Sequence, residues 1–287
     1  VGAARALGLA ALLSAGVLAA CGAQTVLHEA SGPYGEIIVT QERDGLRTLR
    51  FERGGARQTV VKPGDPAHLE LAYAREMMAG LALVDRPERS LVVGLGGGSL
   101  PMFLRHHYPA MRIDAVDINP QVVEAARRYF GFREDAALRG IVADGRRFIE
   151  DAAPSSYDLI LLDAYGANSV PKALTTIEFL QAVRRALAPG GVVVGNIWGR
   201  AINARYDDML RTYQEVFGEV AVVSPGDHRN NLVIALARAS GVTQAGLAAR
   251  ARALASSRGF RFDPGSAVEA GFVSLIERNP AAHVLRD

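Results

Sequence analysis

From residue 90 onward the chain alternates short apolar runs with amphipathic stretches. Apolar runs bounded by turn residues read as strands buried on both faces. Segments with apolar positions three and four apart read as helices. Strands are expected over 90–95, 112–118, 140–143, 157–162, 191–197, 219–224 and 231–237, and helices over 101–107, 121–130, 146–151, 175–187 and 204–217. That alternation predicts a doubly wound, Rossmann-like α/β domain with a seven-stranded sheet covered on both faces.

Upstream the period changes to two. Glu36-Ile37-Ile38-Val39-Thr40 reads as a strand, and Leu49 and Phe51 alternate with Thr48, Arg50 and Glu52 in a second. Asp44-Gly45 and Gly54-Gly55 sit where tight hairpin turns need positive φ, so a small antiparallel β-unit is expected here. Leu69, Leu71, Ala72, Met77, Met78 and Leu81 then recur at helical spacing until Asp85-Arg86-Pro87. Beyond the alternating region, 244–256 reads as a helix and 267–276 as an apolar segment of unassigned role. The expected division is a signal segment (1–20), a linker (21–33), the β-unit with its helix (34–85), the Rossmann-like domain (86–240) and a C-terminal helical extension (241–287).

Composition narrows the class. Hydrophobic residues at 49% and charged residues at 22% are ordinary globular proportions, which excludes a disordered or wholly membrane-embedded chain. The 32 basic and 30 acidic residues are interspersed, with no basic stripe to meet phosphates, so no nucleic-acid partner is expected. Residues 1–20 stand apart: Arg5 is their one charge, and Ala6 to Ala20 is nearly continuous Ala, Leu, Gly and Val. The stretch is short for a membrane span and has the form of a secretory signal. Leu18-Ala19-Ala20-Cys21 resembles a bacterial lipoprotein signal, with the chain's single cysteine where the lipid attaches. A lipid-anchored, extracytoplasmic protein is the expectation; an ordinary buried helix and a cytoplasmic location is the alternative.

Candidate chemistry gathers at the expected strand ends, where an open parallel sheet builds its ligand crevice. The first strand ends in Gly94-Leu95-Gly96-Gly97-Gly98-Ser99, a turn that lets backbone approach a ligand and leaves N–H groups at a helix start. The second ends in Asp117, about 20 residues on, the spacing at which an acid reaches a ribose. Asp117 has the alternative of capping the next helix, although Asn119-Pro120 suits that better. At the third, Asp144 before Gly145 either meets an adenine amino group or caps a helix. The fourth ends in Asp163-Ala164-Tyr165-Gly166, with Asp163 placed to hold a cationic centre. Tyr165 and Trp198 are candidate walls of an acceptor pocket or plain packing, and Lys172 and Arg200 are crevice or solvent charges. His106 and His107 make no metal-ligand spacing, so no metal is expected.

These residues resemble the polyamine aminopropyltransferases, spermidine synthase and its relatives, over about 34–237. The most specific parts are Val93 to Gly98, Val116-Asp117-Ile118-Asn119-Pro120, Ala143-Asp144-Gly145, the run from Tyr157 to Asp163, and Pro171-Lys172-Ala173-Leu174-Thr175-Thr176-Ile177-Glu178-Phe179. The resemblance implies the class I S-adenosylmethionine-dependent methyltransferase fold and a nucleoside donor, S-adenosylmethionine or its decarboxylated form, held by Gly94, Gly96, Gly98, Asp117, Asp144, Gly145 and Asp163. It assigns Asp117 to ribose, Asp144 to the adenine edge and Asp163 to the donor's aminopropyl amine, and implies a homodimer. Three departures bear on the acceptor. Gly97 stands where the family carries a substrate-contacting acid, Gly166 where it carries the acid that takes the amine's proton, and Ala74 and Arg75 follow Tyr73 where a tyrosine–histidine pair is usual. The expected protein is a transferase moving a methyl or aminopropyl group to an unknown acceptor, with Asp163 and Tyr165 as catalytic candidates and putrescine a poor substrate. A non-catalytic, nucleoside-binding or scaffold lipoprotein is the alternative. If Cys21 is the lipid site, Cys21→Ser should release the protein from the membrane fraction; wild type recovered in the cytoplasm with residues 1–20 intact would overturn the signal.

Overall fold

The computed structural model describes residues 24–163, 170–224 and 230–287. The described chain opens with an antiparallel four-stranded meander of β1 (Thr25–Gly32), β2 (Gly35–Gln41), β3 (Arg47–Arg50) and β4 (Thr59–Val61). The segment containing β1 was expected as linker, and this is a correction. Thr25 to Gly32 pair with Gln41 to Gly35 along the sheet edge. Val26 and Leu27 are adjacent and not alternating, and no side chain of this edge strand is fully buried, so the strand leaves no period-two signal. Ile37, Val39, Leu49 and Val61 form a core with Val122, Ala125 and Phe130, which fastens the small sheet to the larger part of the chain.

After α1 (Ala72–Leu81), strands and helices alternate: β5 (Arg89–Val93), α2 (Ser99–His107), β6 (Arg112–Asp117), α3 (Pro120–Tyr129), β7 (Leu138–Val142), α4 (Gly145–Asp151) and β8 (Tyr157–Leu162). A short 3₁₀ turn (Lys172–Leu174) leads to α5 (Ile177–Ala186), β9 (Leu187–Trp198), α6 (Tyr206–Val216), β10 (Glu219–Val223) and β11 (Asn230–Leu236). The chain closes with α7 (Gln244–Arg258), α8 (Pro264–Gly271) and β12 (Phe272–Ser274). The strands form one eight-stranded sheet in the order β12-β10-β11-β9-β8-β5-β6-β7. Five neighbours from β9 to β7 run parallel, whereas β11, β10 and β12 join antiparallel.

All seven expected strands are present, and β12 is the eighth. The C-terminal segment is therefore no mere helical extension. Residues 272–274 pair with Val223 to Ala221, and Leu247, Ala248, Ala251 and Val268 enter the main core beside Met77 and Phe103. Three half-exposed residues at a sheet edge carry too little periodicity to be read as a strand. Pro189-Gly190-Gly191 also lies inside β9, with Gly190 at φ 79° and the ladder to β8 shifting register between Tyr157 and Leu159. Helices α4, α5 and α6 cover the opposite face through Ile149, Phe179, Val183 and Tyr213. Among the described residues, no helix is long and apolar enough to cross a membrane.

Two features of this topology position a site. The chain leaves β5 toward β6 on one side and returns to β8 on the other, so a crevice opens where their carboxyl ends diverge. The meander, α1 and α8 stand around that crevice and supply its outer walls.

Candidate active site

The crevice is a pocket of about 1760 Å³ lined by both parts of the chain. Gly94, Leu95 and Gly96 follow β5, Asp117 and Ile118 end β6, Asp144 and Gly145 follow β7, and Asp163 follows β8. Thr59 of the meander and Tyr73 and Glu76 of α1 face them, with Asn196 and Trp198 of β9 and Pro264 and Ala267 of α8 at the far side.

The glycine turn is shaped by conformation and by crowding. Gly94 and Gly96 have φ of 96° and 53°, in the left-handed region that side chains disfavour. Gly97 is excluded from bearing a side chain for a different reason. A Cβ there would lie 2.8 Å from Thr59 Cγ2 and 2.9 Å from the Phe130 ring, and Phe130 is fully buried. Gly98, expected at the ligand, starts α2 behind the pocket wall, where a Cβ would meet Phe132 at 2.7 Å. Gly98 is in the left-handed region at φ 81°, which lets the turn enter α2. Gly145 does line the pocket and is tight as well, since its Cβ would meet Val93 Cγ1 at 2.6 Å.

Asp117 holds this turn in place. Its Oδ2 accepts from the Leu95 amide at 3.0 Å and its Oδ1 from the Asn119 amide at 2.9 Å. Burial pushes its pKa up, opposed by hydrogen bonds from the Asn119, Leu95 and Gly96 amides. The α3 cap is Asn119, which accepts from the Gln121 amide with Pro120 in the first turn. A carboxylate has about four acceptor positions, so beside the Leu95, Gly96 and Asn119 amides Asp117 retains capacity for about one further donor, such as a ribose hydroxyl. Asp144 takes the capping alternative and also faces the crevice. Its Oδ1 caps α4, accepting from the amides of Arg146 at 2.9 Å and Arg147 at 3.2 Å, while the residue still lines the pocket.

Asp163 is half-buried and lines the pocket. Tyr73 donates its hydroxyl to Oδ2 at 3.0 Å, and Asn196 donates Nδ2 to Oδ1 at 2.8 Å. Asn196 is oriented in turn by Asn230, whose Nδ2 donates to its Oδ1 at 2.9 Å. Both hydrogen-bond partners of the carboxylate among the described residues are neutral, so burial dominates and pushes its pKa up to about 7, against the lowering effect of both hydrogen bonds. Asn196 had a sequence signal that went unread: a buried amide interrupting the apolar run from Val192 to Ile197. Tyr73 had none that linked it to Asp163, because the two are 90 residues apart.

The remaining candidates divide. Trp198 lines the pocket, whereas Arg200 pairs with Asp207 and lies 5.4 Å from the Tyr206 ring centre. Lys172 is exposed on its 3₁₀ turn. His107 packs against Phe103 and Phe260, with Nδ1 2.9 Å from the Arg258 carbonyl, and His106 packs on His107. Among the described residues no group of three His, Cys, Asp or Glu is arranged to hold a metal. Tyr165, Gly166 and Cys21 lie outside the described residues.

A mixed sheet with a glycine turn and acids at its central strand ends defines a transferase built on the methyltransferase-type α/β fold, and comparison with known proteins agrees. Residues 70–223 match the spermine/spermidine synthase domain. The chain is 36% identical over 241 residues to the polyamine aminopropyltransferase of Vibrio vulnificus, covering 82% of this chain and 80% of that one. A probable spermidine synthase from Corynebacterium glutamicum has the same fold, with a TM-score of 0.72 at 22% identity over 91% of this chain and 96% of that one. Human methyltransferase-like protein 13, solved with S-adenosylhomocysteine (SAH), superposes with a TM-score of 0.60 at 31% identity, over 66% and 93% of the two chains. The protein belongs to the spermine/spermidine synthase family.

The geometry around Asp163 predicts a pH dependence. A cationic ligand pairs with the ionised carboxylate, which is the form present above about pH 7. Affinity for a sulfonium nucleoside should therefore fall as pH is lowered from 8 to 6, approaching about tenfold. Asp163→Asn should bind more weakly and show a flat profile over that range, as read by equilibrium titration; a variant with the wild-type profile would assign the titration to another group.

Proposed function

We propose that the protein is an alkyltransferase using a sulfonium nucleoside, S-adenosylmethionine or its decarboxylated form, and that putrescine is not its efficient acceptor. The observation that carries this reading is the contrast within one pocket. The glycine turn, Asp117, Asp144 and Asp163 line one crevice, which supports a nucleoside donor, whereas a side chain at Gly97 would have to displace Phe130 and Thr59. The family relationship supports transfer chemistry, and the aminopropyltransferase and methyltransferase relatives bracket the group transferred.

In such a transfer the acceptor's lone pair forms a bond to a carbon beside the sulfonium. The carbon–sulfur electron pair returns to sulfur, and a neutral thioether nucleoside leaves. Positioning alone can supply much of the rate, so a site with few acids can still be catalytic. An amine acceptor must also lose a proton. Unperturbed alkyl ammonium groups have pKa near 10, so only about one molecule in a thousand is free amine at neutral pH, a penalty of roughly 4 kcal/mol unless a base is positioned. Asp163 is the acid on hand, and in this reading the donor's own amine engages it. Gly166 has no side chain to offer.

Lipid anchoring at Cys21 belongs to the same proposal. It would place the transferase outside the cytoplasm and makes the non-catalytic, nucleoside-binding alternative worth separating. Binding followed by product analysis does so: ligand binding without thioether release under any acceptor supports the scaffold.

Two outcomes are expected with purified protein. Asp117→Ala removes the proposed ribose acceptor, and a hydrogen bond to a charged group is worth about 1.5–3 kcal/mol, so nucleoside affinity should fall at least about tenfold in a variant that remains folded. Thioether release with putrescine, cadaverine or spermidine should stay far below synthase rates near neutral pH. Rapid turnover with putrescine would overturn the acceptor half of the proposal and direct attention to Glu76 and Tyr73 as bases.

A further inference from the structure

At about 1760 Å³ the pocket exceeds the roughly 300–1,000 Å³ usual for one small ligand, so a second molecule fits beside a nucleoside. Its two sides are built differently. The strand ends of the large sheet supply one, with Asp117, Asp144 and Asp163. The small sheet and the start of α1 supply the other, with Arg50, Arg57, Glu70, Arg75 and Glu76. Tyr73 joins them: the hydroxyl that donates to Asp163 also lies 3.3 Å from the Gln58 carbonyl, which brings the segment carrying Arg57 up beside the acid.

Charge on this second side is unevenly compensated. Glu70 Oε2 lies 2.9 Å from His68 Nε2, and Glu76 is engaged as well. The guanidinium groups, by contrast, meet no acid among the described residues. Arg50 donates Nε to the Gly55 carbonyl and Nη1 to Thr40 Oγ1, each at 3.1 Å. Arg75 donates Nη1 to the carbonyls of Leu69 and Glu70, again at 3.1 Å. Arg57 is exposed, with no hydrogen bond or ion pair among the described residues. Neutral partners thus hold Arg50 and Arg75 in place without cancelling their charge. A guanidinium stays protonated at any working pH, so three uncompensated cations line this side. Such a surface repels a polyamine and attracts an anion.

We propose that Arg50, Arg57 and Arg75 form an anion subsite on the acceptor side of the pocket, and that the acceptor is an amino acid, an amine that also carries a carboxylate. This rests on the reading that the pocket takes a sulfonium nucleoside. The carboxylate pairs with the guanidinium groups, whose forked donors suit its two oxygens, and this holds the amine toward the donor. The acceptor's ammonium gives a proton to solvent, and the freed lone pair bonds to the carbon beside the sulfonium. The carbon–sulfur pair returns to sulfur, so the positive charge passes from the sulfonium to the new ammonium. Arg57 is the specificity-determining residue, because it is the cation that the protein leaves without any partner.

Ornithine and putrescine differ by one carboxylate, as do lysine and cadaverine. The test is calorimetric titration of these amines into the purified full chain saturated with SAH and, separately, with 5′-methylthioadenosine. Each amino acid should bind at least about tenfold tighter than its diamine, and the ratio should shrink as ionic strength rises. Arg57→Gln should lower the ratio about threefold or more, and Arg57→Glu should bring the diamine level with the amino acid or above it. Thermal melting establishes that the variants are folded, and the wild-type pairs decide the matter by themselves if they are not. Equal or tighter binding of the diamines to the wild type overturns the anion subsite while leaving the nucleoside reading intact. So does failure of all the amines to bind the nucleoside complexes. An unchanged ratio in folded Arg57→Glu overturns the role of Arg57. Failure of both nucleosides to bind the wild type removes the nucleoside reading, and the acceptor assignment with it.

Discussion

Asp163 ends β8 with its carboxylate between the Tyr73 hydroxyl of α1 and the Asn196 amide of β9, and Asn230 of β11 continues the chain of hydrogen bonds. Three parts of the chain that are remote in sequence are thus tied to a single half-buried acid. Neither hydrogen-bond partner among the described residues is a cation, so the charged form is poorly compensated and the pKa rises to about 7. Such an acid is most readily stabilised by a cationic ligand, which supplies the charge that the protein withholds. The same bonds fix where α1 meets the sheet, and so where the pocket's outer wall stands.

The glycine turn is constrained from behind as firmly as Asp163 is from the sides. Asp117 draws the Leu95 amide toward β6, Phe132 backs Gly98, and Phe130 with Thr59 fills the space over Gly97. Phe130 belongs to the core that fastens the meander to α3. The small sheet therefore acts on the site in two ways: it brings Thr59 to the pocket, and it helps to exclude an acid from the turn. A side chain at position 97 would require both to move. Membership of the spermine/spermidine synthase family is compatible with this arrangement because the fold conserves strand ends, whereas the groups that meet an acceptor come from loops and from the added elements around them.

The C-terminal segment completes the enclosure. Leu247 and Val268 are buried in the main core, β12 extends the sheet beside β10, and Pro264 and Ala267 form part of the pocket wall. The chain's last elements thus serve both the stability of the large sheet and the shape of the cavity.

The sequence by itself determined what depends on neighbours along the chain. Seven strands were legible because apolar runs between turn residues report burial locally, and Asp117, Asp144 and Asp163 were legible because strand ends in an open parallel sheet converge. Asn119-Pro120 announced the start of α3 for the same local reason. Only the tertiary structure decided the rest. β1 and β12 are edge strands whose pairing, not their composition, makes them strands. Gly97 looked like a simple loss of an acid until Phe130 and Thr59 were seen to occupy its space. The partners of Asp163, and hence its shifted pKa, come from residues 90 and 33 positions away, and a hydrogen bond across that separation leaves no periodic trace in either segment. Local patterns record which side of an element is buried; what it is buried against is settled when distant elements meet.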